Sequence, residues 1–155
     1  MMLTHALAAM LWLHTPTPAC EYGDAISCVQ VVRVHDGDTF VVDIPNTHPL
    51  FGRAISVRVR GIDAPEMHGY GPCEKQRAVD AQLFVAGLLA HAQNIRLLHL
   101  GRDKYFRILA DVEVDGIALA EDLLKRGLAC RYNGKRKPQH DWCAAAPCDS
   151  TPATP

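Results

Sequence analysis

Two short acidic clusters contain the residues best suited to chemistry. The first is His35-Asp36-Gly37-Asp38-Thr39, and the second is Gly61-Ile62-Asp63-Ala64-Pro65-Glu66. Carboxylates that are brought together repel each other unless a cation lies between them. Oxygen ligands favour a hard ion such as Ca²⁺ or Mg²⁺, whereas zinc sites usually include cysteine or several histidines, which neither cluster offers at ligand spacing. The clusters therefore predict a calcium site rather than a zinc site.

Three further side chains could act on a phosphate group beside such an ion. Glu66 lies three residues beyond Asp63, past a proline that restricts the backbone, where it could reach the edge of the site as a general base. Arg58 and Arg107 could each form a planar, bidentate contact with a phosphate. A metal ion, a base and two guanidinium groups together suit the hydrolysis of a phosphodiester.

Strand-like runs surround both clusters. The first cluster lies between the apolar runs Val29–Val34 and Phe40–Ile44, and an Asp-Gly pair between two such runs predicts a hairpin turn. The second cluster follows Ile55–Arg60, whose alternation indicates a strand with one buried face. In a meander, the third strand runs antiparallel to the second, so its end lies beside the start of the second strand. We therefore expect Asp63 to lie close to Asp38.

The rest of the chain predicts two more strands and two helices. Apolar residues recur at helical spacing from Pro72 to Ala92, and Ile95–Leu100 and Ile108–Val114 are typical of strands. An Asp-Gly turn then leads into a second helix, which is predicted to end at Gly127. Five short strands with a helix after the third and another after the fifth predict a mainly β, mixed α+β fold. The prediction is an OB-type five-stranded barrel capped by two or three helices.

The motifs together resemble one known family. They stand in this order along the chain: Asp36-Gly37-Asp38-Thr39, Arg58, Asp63-Ala64-Pro65-Glu66, and Asp103-Lys104-Tyr105 with Arg107. This arrangement resembles the staphylococcal-nuclease-like (thermonuclease) family over roughly Val29 to Tyr132, and four motifs in register make the resemblance specific. It implies an OB-type barrel and a Ca²⁺-dependent nuclease that acts on DNA and RNA and leaves 3′-phosphate ends. The sequence does not decide between DNA and RNA.

The resemblance also implies which residues hold the metal. One Ca²⁺ would be bound by Asp38, Asp63 and the main-chain carbonyl of Ala64, while Asp36 and Thr39 would support these ligands. The best-known member of the family has threonine where this chain has alanine. A main-chain carbonyl ligand survives that change.

By the same resemblance, the remaining site residues act on the substrate. Glu66 would be the general base, and Arg58 and Arg107 would bind the phosphate. Lys104 and Tyr105 match positions that contact the nucleotide. Phe106, which follows Tyr105, stands where a glycine is common in the family. Tyr132 and Asn133 both remain candidates for a family tyrosine, and that assignment stays open.

The charge balance is unusual for a protein that binds nucleic acid. The formal net charge is −1 over 155 residues, and affinity for a polyanion depends chiefly on lysine and arginine. A basic run from 125 to 137 holds six lysines and arginines without an acid, and could supply local positive charge. The main rival interpretation is a noncatalytic OB-type module that binds single-stranded nucleic acid. A third interpretation is a disulfide-stabilised secreted interaction protein. The retained acids and arginines favour the enzyme over both.

The beginning of the chain predicts export. Residues 1–19 contain no Lys, Arg, Asp or Glu, and the apolar run Ala6–Leu13 is followed by Thr17-Pro18-Ala19, which suits cleavage of a signal peptide. We therefore predict a secreted or periplasmic protein with a nuclease-like domain over 20–148 and a disordered tail over 149–155. The apolar run is too short to span a bilayer, so we expect no stable membrane insertion after cleavage. No protein partner is inferred.

The cysteines support the same prediction. All six fall after the proposed cleavage site, and an even number in an exported chain favours disulfides. The sequence does not determine their connectivity, although Cys20 with Cys28 and Cys143 with Cys148 are close enough to pair locally. The alternative for Cys130, which lies in an apolar segment, is a buried free thiol.

Overall fold

A computed structural model describes residues 20, 22–69, 71–135, 140–144 and 148 of the chain. The predicted signal peptide at 1–19 and the predicted tail at 149–155 lie outside the described residues. Within the part that is described, no helix is both long enough and apolar enough to cross a membrane. The elements, in chain order, are β1 (Ala25–Ile26), β2 (Gln30–Val34), β3 (Thr39–Asp43), α1 (Pro49–Gly52), β4 (Ile55–Val59), β5 (Ile62–Asp63), α2 (Pro72–His91), β6 (Ile95–Arg102), β7 (Ile108–Val114), β8 (Ile117–Ala118), α3 (Leu119–Lys125) and β9 (Cys130–Arg131).

The predicted three-stranded meander is confirmed. Strand β3 pairs antiparallel with β2 on one side and with β4 on the other. The register places Thr39 directly opposite Arg58. The pairing of β3 with β4 therefore makes the end of the first acidic cluster a cross-strand neighbour of Arg58.

The complete sheet has the strand order of an OB-type fold. The five predicted strands lie in the order β6-β7-β4-β3-β2, with β4 parallel to β7 and the other neighbours antiparallel. Strand β1 extends the sheet beyond β6, and β8 pairs with β7. A separate two-stranded sheet joins β5 to β9, with Asp63 opposite Cys130. The predicted mixed α+β, OB-type fold is confirmed, with additional short strands at its margins.

Helix α2 packs its apolar face on the sheet. Pro72 occupies the first turn, where its missing N–H is not needed. The buried face consists of small and branched residues at helical spacing: Ala78, Ala81, Val85 and Leu89. The side chain of Gln82 donates hydrogen bonds to the carbonyls of Val34 (3.2 Å) and His35 (3.0 Å). The helix therefore anchors the β2–β3 hairpin at the point where the first acidic cluster begins.

The second predicted helix, α3, ends as its sequence indicates. Gly127 has φ +66°, its N–H donates to Leu124, and the N–H of Leu128 donates to Leu123. These two bonds form a Schellman motif, in which a left-handed residue closes the helix end. Leu119 and Leu123 form the buried face of this helix and are fully buried.

Three disulfides join the cysteines, and only one of the two suggested local pairs is correct. Cys20 pairs with Cys28 as expected. Cys143 does not pair with Cys148, because Cys73 at the start of α2 pairs with Cys143 and Cys130 pairs with Cys148. Cys130 is 1% exposed, so its predicted burial is confirmed, but the free-thiol alternative is wrong. The two long-range bridges tie the end of the chain to α2 and to β9.

Candidate functional site

Asp38 connects the two acidic clusters. It lies at the end of the β2–β3 loop with 6% of its surface exposed. Its Oδ2 accepts a hydrogen bond from the backbone N–H of Ala64 (2.8 Å), and its Oδ1 accepts one from the Thr39 hydroxyl (2.9 Å). The backbone N–H of Asp38 in turn donates to Asp36 Oδ1 at 3.0 Å. These bonds hold the second cluster directly against the first.

Arg58 lies between the two buried aspartates. Its Nη1 forms an ion pair with Asp38 Oδ2, and its Nη2 lies 3.5 Å from Asp63 Oδ1. The same Nη2 donates to the carbonyl of Ile62 at 3.1 Å. The side chain of Asp63 is 3% exposed and that of Arg58 is 11% exposed. The expected proximity of Asp38 and Asp63 is confirmed, since one guanidinium group touches both carboxylates.

The charges of this cluster do not balance. A single guanidinium group, that of Arg58, contacts the two carboxylates of Asp38 and Asp63, and the carboxylate of Asp36, which pairs with His35, lies beside Asp38. Burial, together with the charge of Asp36, raises the pKa of the Asp38 carboxyl to about 7 against the opposing charge of Arg58. Burial alone would also raise the pKa of Asp36, but its hydrogen bonds with Asp38 and His35 lower it below its ordinary value. A second positive charge would therefore stabilise the ionised cluster.

The loop between β6 and β7 brings a second arginine to the same place. Arg107 Nη1 donates to the hydroxyl of Thr39 at 3.5 Å, so one threonine contacts both Asp38 and Arg107. Asp103 fixes this arginine: its Oδ2 accepts from Arg107 Nε at 2.6 Å, and its Oδ1 accepts from the backbone N–H groups of Tyr105 (2.8 Å) and Arg107 (3.0 Å). Arg107 is therefore held in place before any ligand arrives.

Asp103 positions a candidate site residue, Arg107, and the sequence assigned it no role of its own. Burial alone would raise the pKa of its carboxyl, but the hydrogen bonds from Arg107 and from the backbone of Arg107 and Tyr105 lower the pKa below its ordinary value. The available signal was an aspartate at the start of a loop with an arginine four residues later. Such an aspartate commonly accepts backbone N–H bonds within its own loop.

The remaining predicted site residues are exposed at the border of the cluster. Glu66 follows the buried Pro65 and is exposed, and its backbone N–H donates to Glu74 Oε1 at 3.4 Å. Tyr105 is 65% exposed. The ring centre of Tyr105 lies 4.9 Å from Lys104 Nζ and 5.3 Å from Arg107 Cζ. Tyr105 thus contacts Arg107, and all three side chains lie at the surface rather than within the buried cluster.

The predicted basic run is partly neutralised. Arg126 pairs with Asp122 at 2.9 Å, and Arg131 lies 3.3 Å from Glu121. Arg136 and Lys137 lie outside the described residues. The run therefore supplies less free positive charge than the sequence indicates.

The profile of the staphylococcal nuclease homologue family matches residues 56–145, more than half of the chain. The chain belongs to this family. The matched segment includes Arg58, Asp63, Glu66 and Arg107, and the paired strands place Asp38 beside them. Members of the family are generally metal-dependent.

Relatives of the chain are described as endonucleases. A protein of Schizosaccharomyces pombe described as a "probable endonuclease" is 31% identical, over 67% of this chain and 55% of its own length. A Haemophilus influenzae protein described as an "uncharacterized endonuclease" is 30% identical, over 81% of this chain and 63% of its own length. A "probable endonuclease" of Verticillium alfalfae is 37% identical, over 56% of this chain and 31% of its own length. The chain thus spans between about a third and two thirds of the relatives it matches.

The donors in the cluster fit the metal-dependent chemistry of the staphylococcal nuclease homologue family. Within the described ranges, no three His, Cys, Asp or Glu side chains gather at metal-binding distance. Asp38 and Asp63, whose carboxylates both contact Arg58, are the pair that could hold a cation, with main-chain carbonyl and water oxygens completing its coordination. An all-oxygen set that includes water suits Ca²⁺ or Mg²⁺. The unbalanced negative charge of the cluster favours such an ion.

Proposed function

We propose that this protein is a calcium-dependent nuclease that hydrolyses phosphodiester bonds in DNA, with RNA as a second substrate, and leaves 3′-phosphate ends. The observation that carries the proposal is the position of Thr39, which links the buried Asp38–Arg58–Asp63 cluster to Arg107: its hydroxyl donates to Asp38 and accepts from Arg107. Carboxylates that can hold a hard cation thereby adjoin two guanidinium groups that can bind a phosphate. Membership of the family supports the same conclusion.

Two carboxylates and one carbonyl would hold the ion. In this proposal, one Ca²⁺ is bound by Asp38, Asp63 and the main-chain carbonyl of Ala64. Asp36 holds Asp38 in place by accepting from its backbone N–H (3.0 Å), and the Thr39 hydroxyl does so by donating to its carboxylate (2.9 Å). The bound ion would neutralise charge on the phosphate and make its phosphorus atom more electrophilic.

The protein's own side chains would carry out the proton transfer and stabilise the transition state. Glu66 takes a proton from the attacking water, whose oxygen forms a bond to phosphorus as the bond to the 5′ oxygen breaks. The leaving 5′ oxygen takes a proton from solvent and departs as a hydroxyl. Arg58 and Arg107 donate hydrogen bonds to the phosphate oxygens as negative charge accumulates, a contribution of about 3 kcal/mol for each donor that is aligned. Arg58 makes this contact only by exchanging a carboxylate partner for the phosphate. Lys104 and Tyr105 contact the nucleotide at the exposed border of the site.

The three disulfides support an oxidising location. We propose that residues 20–148 form a nuclease domain that works outside the cytoplasm, in a secreted or periplasmic protein, after removal of the leader at 1–19.

Nucleic-acid cleavage with and without metal tests the function. Purified, oxidised protein is incubated with plasmid DNA and with RNA, in Ca²⁺, in Mg²⁺ and in a chelator, and the products are separated by electrophoresis. Cleavage in Ca²⁺ that the chelator abolishes is the expected result. A mobility shift without cleavage in any condition would instead indicate a noncatalytic nucleic-acid-binding module. The absence of both cleavage and a shift would favour the interaction-protein interpretation.

A single substitution tests the proposed base. Glu66→Gln removes the proton acceptor while keeping the size of the side chain, so we expect turnover to fall by roughly 10²- to 10⁴-fold while binding of DNA is retained. Glu121→Gln is the matched control, since Glu121 is exposed and pairs only with Arg131 among the contacts described here. Near wild-type hydrolysis by Glu66→Gln would show that another group is the base.

A further inference from the structure

Phe106 is an exposed aromatic residue that the site described above does not use. It is 78% exposed, the most exposed of the large apolar side chains described here. It also occupies φ +64°, a left-handed conformation that residues with a β-carbon rarely adopt. Neither burial nor backbone preference explains a phenylalanine at this position. A residue that breaks two local rules next to a reactive site is a candidate for a functional role.

Hydrogen bonds hold the backbone of the loop that carries this ring. The N–H of Phe106 donates to the carbonyl of Asp103 at 3.2 Å, and the N–H of Asp103 donates to the carbonyl of Arg107 at 3.2 Å. The Asp103 carboxylate accepts two further backbone N–H bonds from the same loop. The left-handed residue at the end of this turn therefore presents its side chain to solvent from a rigid base.

Positive charge accompanies the ring. Arg102 Cζ lies 5.8 Å from the centre of the Phe106 ring, while Lys104 and Arg107 lie beside the ring of Tyr105. Three cations and two exposed aromatic rings thus fall within six consecutive residues. Exposed rings surrounded by cations are the arrangement with which OB-type folds bind single strands, because the rings stack on bases and the cations meet the phosphates.

We propose that Phe106, flanked by Arg102, is a stacking position for an unpaired nucleobase of the substrate, next to the nucleotide contacts of Tyr105. The inference rests on the proposed nuclease function. Its consequence is a preference for single strands over duplex, since a base must leave its own stack to lie on the ring. Phe106 and Arg107 lie on one hydrogen-bonded loop, so the stacking position and the arginine proposed to bind the phosphate are carried by the same rigid backbone.

Equilibrium binding tests this role separately from catalysis. The Glu66→Gln protein is titrated, in Ca²⁺, with a fluorescent single-stranded oligonucleotide and with a duplex of the same sequence. Phe106→Leu is expected to weaken single-strand binding by roughly five- to a hundredfold, the range of one base stacked on one ring, and to leave duplex binding within about twofold. Phe106→Trp should retain single-strand binding because it keeps a flat ring. Leucine and tryptophan both have a β-carbon, as phenylalanine does, so neither Phe106→Leu nor Phe106→Trp relieves the left-handed backbone conformation at this position.

Phe51→Leu is the matched control, because Phe51 is also an exposed phenylalanine, at 63%, but lies on α1. Equal single-strand affinities for Phe106→Leu and Phe51→Leu would overturn the inference, as would an equal loss for single strands and duplex. Cleavage by the wild-type protein, measured in parallel, separates the two proposals. If the wild type cleaves while Phe106→Leu binds normally, only this inference fails; if the wild type neither binds nor cleaves, the proposed function fails as well.

Discussion

Arg107 depends on a single carboxylate for its position. Asp103 accepts a 2.6 Å hydrogen bond from the arginine side chain and two more from the loop backbone. Hydrogen bonds to charged groups are worth about 1.5 to 3 kcal/mol when well formed. At the scale of the residue, Asp103 therefore positions the second arginine of the candidate site, although it was not itself predicted to act on metal or substrate.

The state of Asp103 leads to a prediction about pH. Because these hydrogen bonds lower the pKa of Asp103 in the folded protein, the carboxylate stabilises the fold at pH values above its unfolded pKa, and this stabilisation is lost as the pH falls through the folded pKa. We expect Asp103→Asn to have a lower free energy of unfolding than the wild type at pH 7. The difference should shrink below about pH 4.

Urea denaturation at a series of pH values measures this difference. Asp24→Asn, which changes an exposed aspartate near the start of β1, is the control and should follow the wild type throughout. A stability gap for Asp103→Asn that stays constant from pH 7 to pH 3 would contradict the account of this loop.

At the scale of the element, helix α2 and the β2–β3 loop approach each other at Gly37. A β-carbon at this position would lie 2.8 Å from the Ala81 β-carbon on α2 and 3.0 Å from the Ala64 β-carbon. Both distances are shorter than ordinary contacts, so the loop would have to move. Since Asp36 and Asp38 flank this glycine, its movement would displace the acidic cluster.

We therefore predict that Gly37→Ala destabilises the fold by about 1 to 3 kcal/mol, the usual cost of overpacking, and lowers nuclease activity. Gly87→Ala is the matched control, because Gly87 lies on α2 and a β-carbon there would meet nothing within 4 Å. Alanine at that position should stabilise the helix by about 0.5 to 1 kcal/mol. Thermal unfolding of both variants measures the effect, and equal stability of the two would show that the loop is not packed this closely.

The sequence predicted the long elements well because periodicity reports burial. Strand β7 has the predicted bounds, and α2 ends one residue earlier than predicted. The short strands β5 and β9 were not predicted, because two residues show no period and their pairing depends on tertiary contacts. The Asp-Gly pattern correctly predicted the β2–β3 hairpin. The sequence could not reveal that Gly37 also lies in close contact with Ala81 on helix α2, because the two residues are far apart in the chain.

The same limit applied to Arg58. The sequence correctly placed it on the third predicted strand near the acids, but its guanidinium contacts both buried carboxylates in this structure rather than an open phosphate position. Strand periodicity indicates the face on which a residue lies. It does not reveal which charges that face will meet.

At the scale of the whole molecule, the disulfides connect the end of the chain to the rest of the domain. The even number of cysteines predicted disulfides, but not the partners of Cys143 and Cys148, since these depend on where the end of the chain lies. The Cys73–Cys143 bridge spans 70 residues and Cys20–Cys28 spans 8. Loop-closure entropy gives about 4.4 and 2.5 kcal/mol for loops of these lengths.

We predict that the double variant Cys73→Ala/Cys143→Ala loses about 2 kcal/mol more free energy of unfolding than Cys20→Ala/Cys28→Ala. Guanidinium denaturation of both variants under oxidising conditions measures the difference, with the fully reduced wild type as reference. A larger loss in the Cys20→Ala/Cys28→Ala variant would indicate that the long-range bridge does not constrain the unfolded chain as this connectivity requires.

The buried acids are proposed to support metal-dependent cleavage. The rate of hydrolysis by Asp38→Asn as a function of Ca²⁺ concentration tests this role most directly. This variant keeps the shape of the side chain but loses its charge. Asp111→Asn is the control, because Asp111 pairs with Arg60 at 3.4 Å on a half-exposed part of β7, and thermal unfolding confirms that both variants fold. We predict a loss of roughly 10²-fold or more for Asp38→Asn and wild-type rates for Asp111→Asn. A wild-type rate and Ca²⁺ dependence in Asp38→Asn would contradict the account.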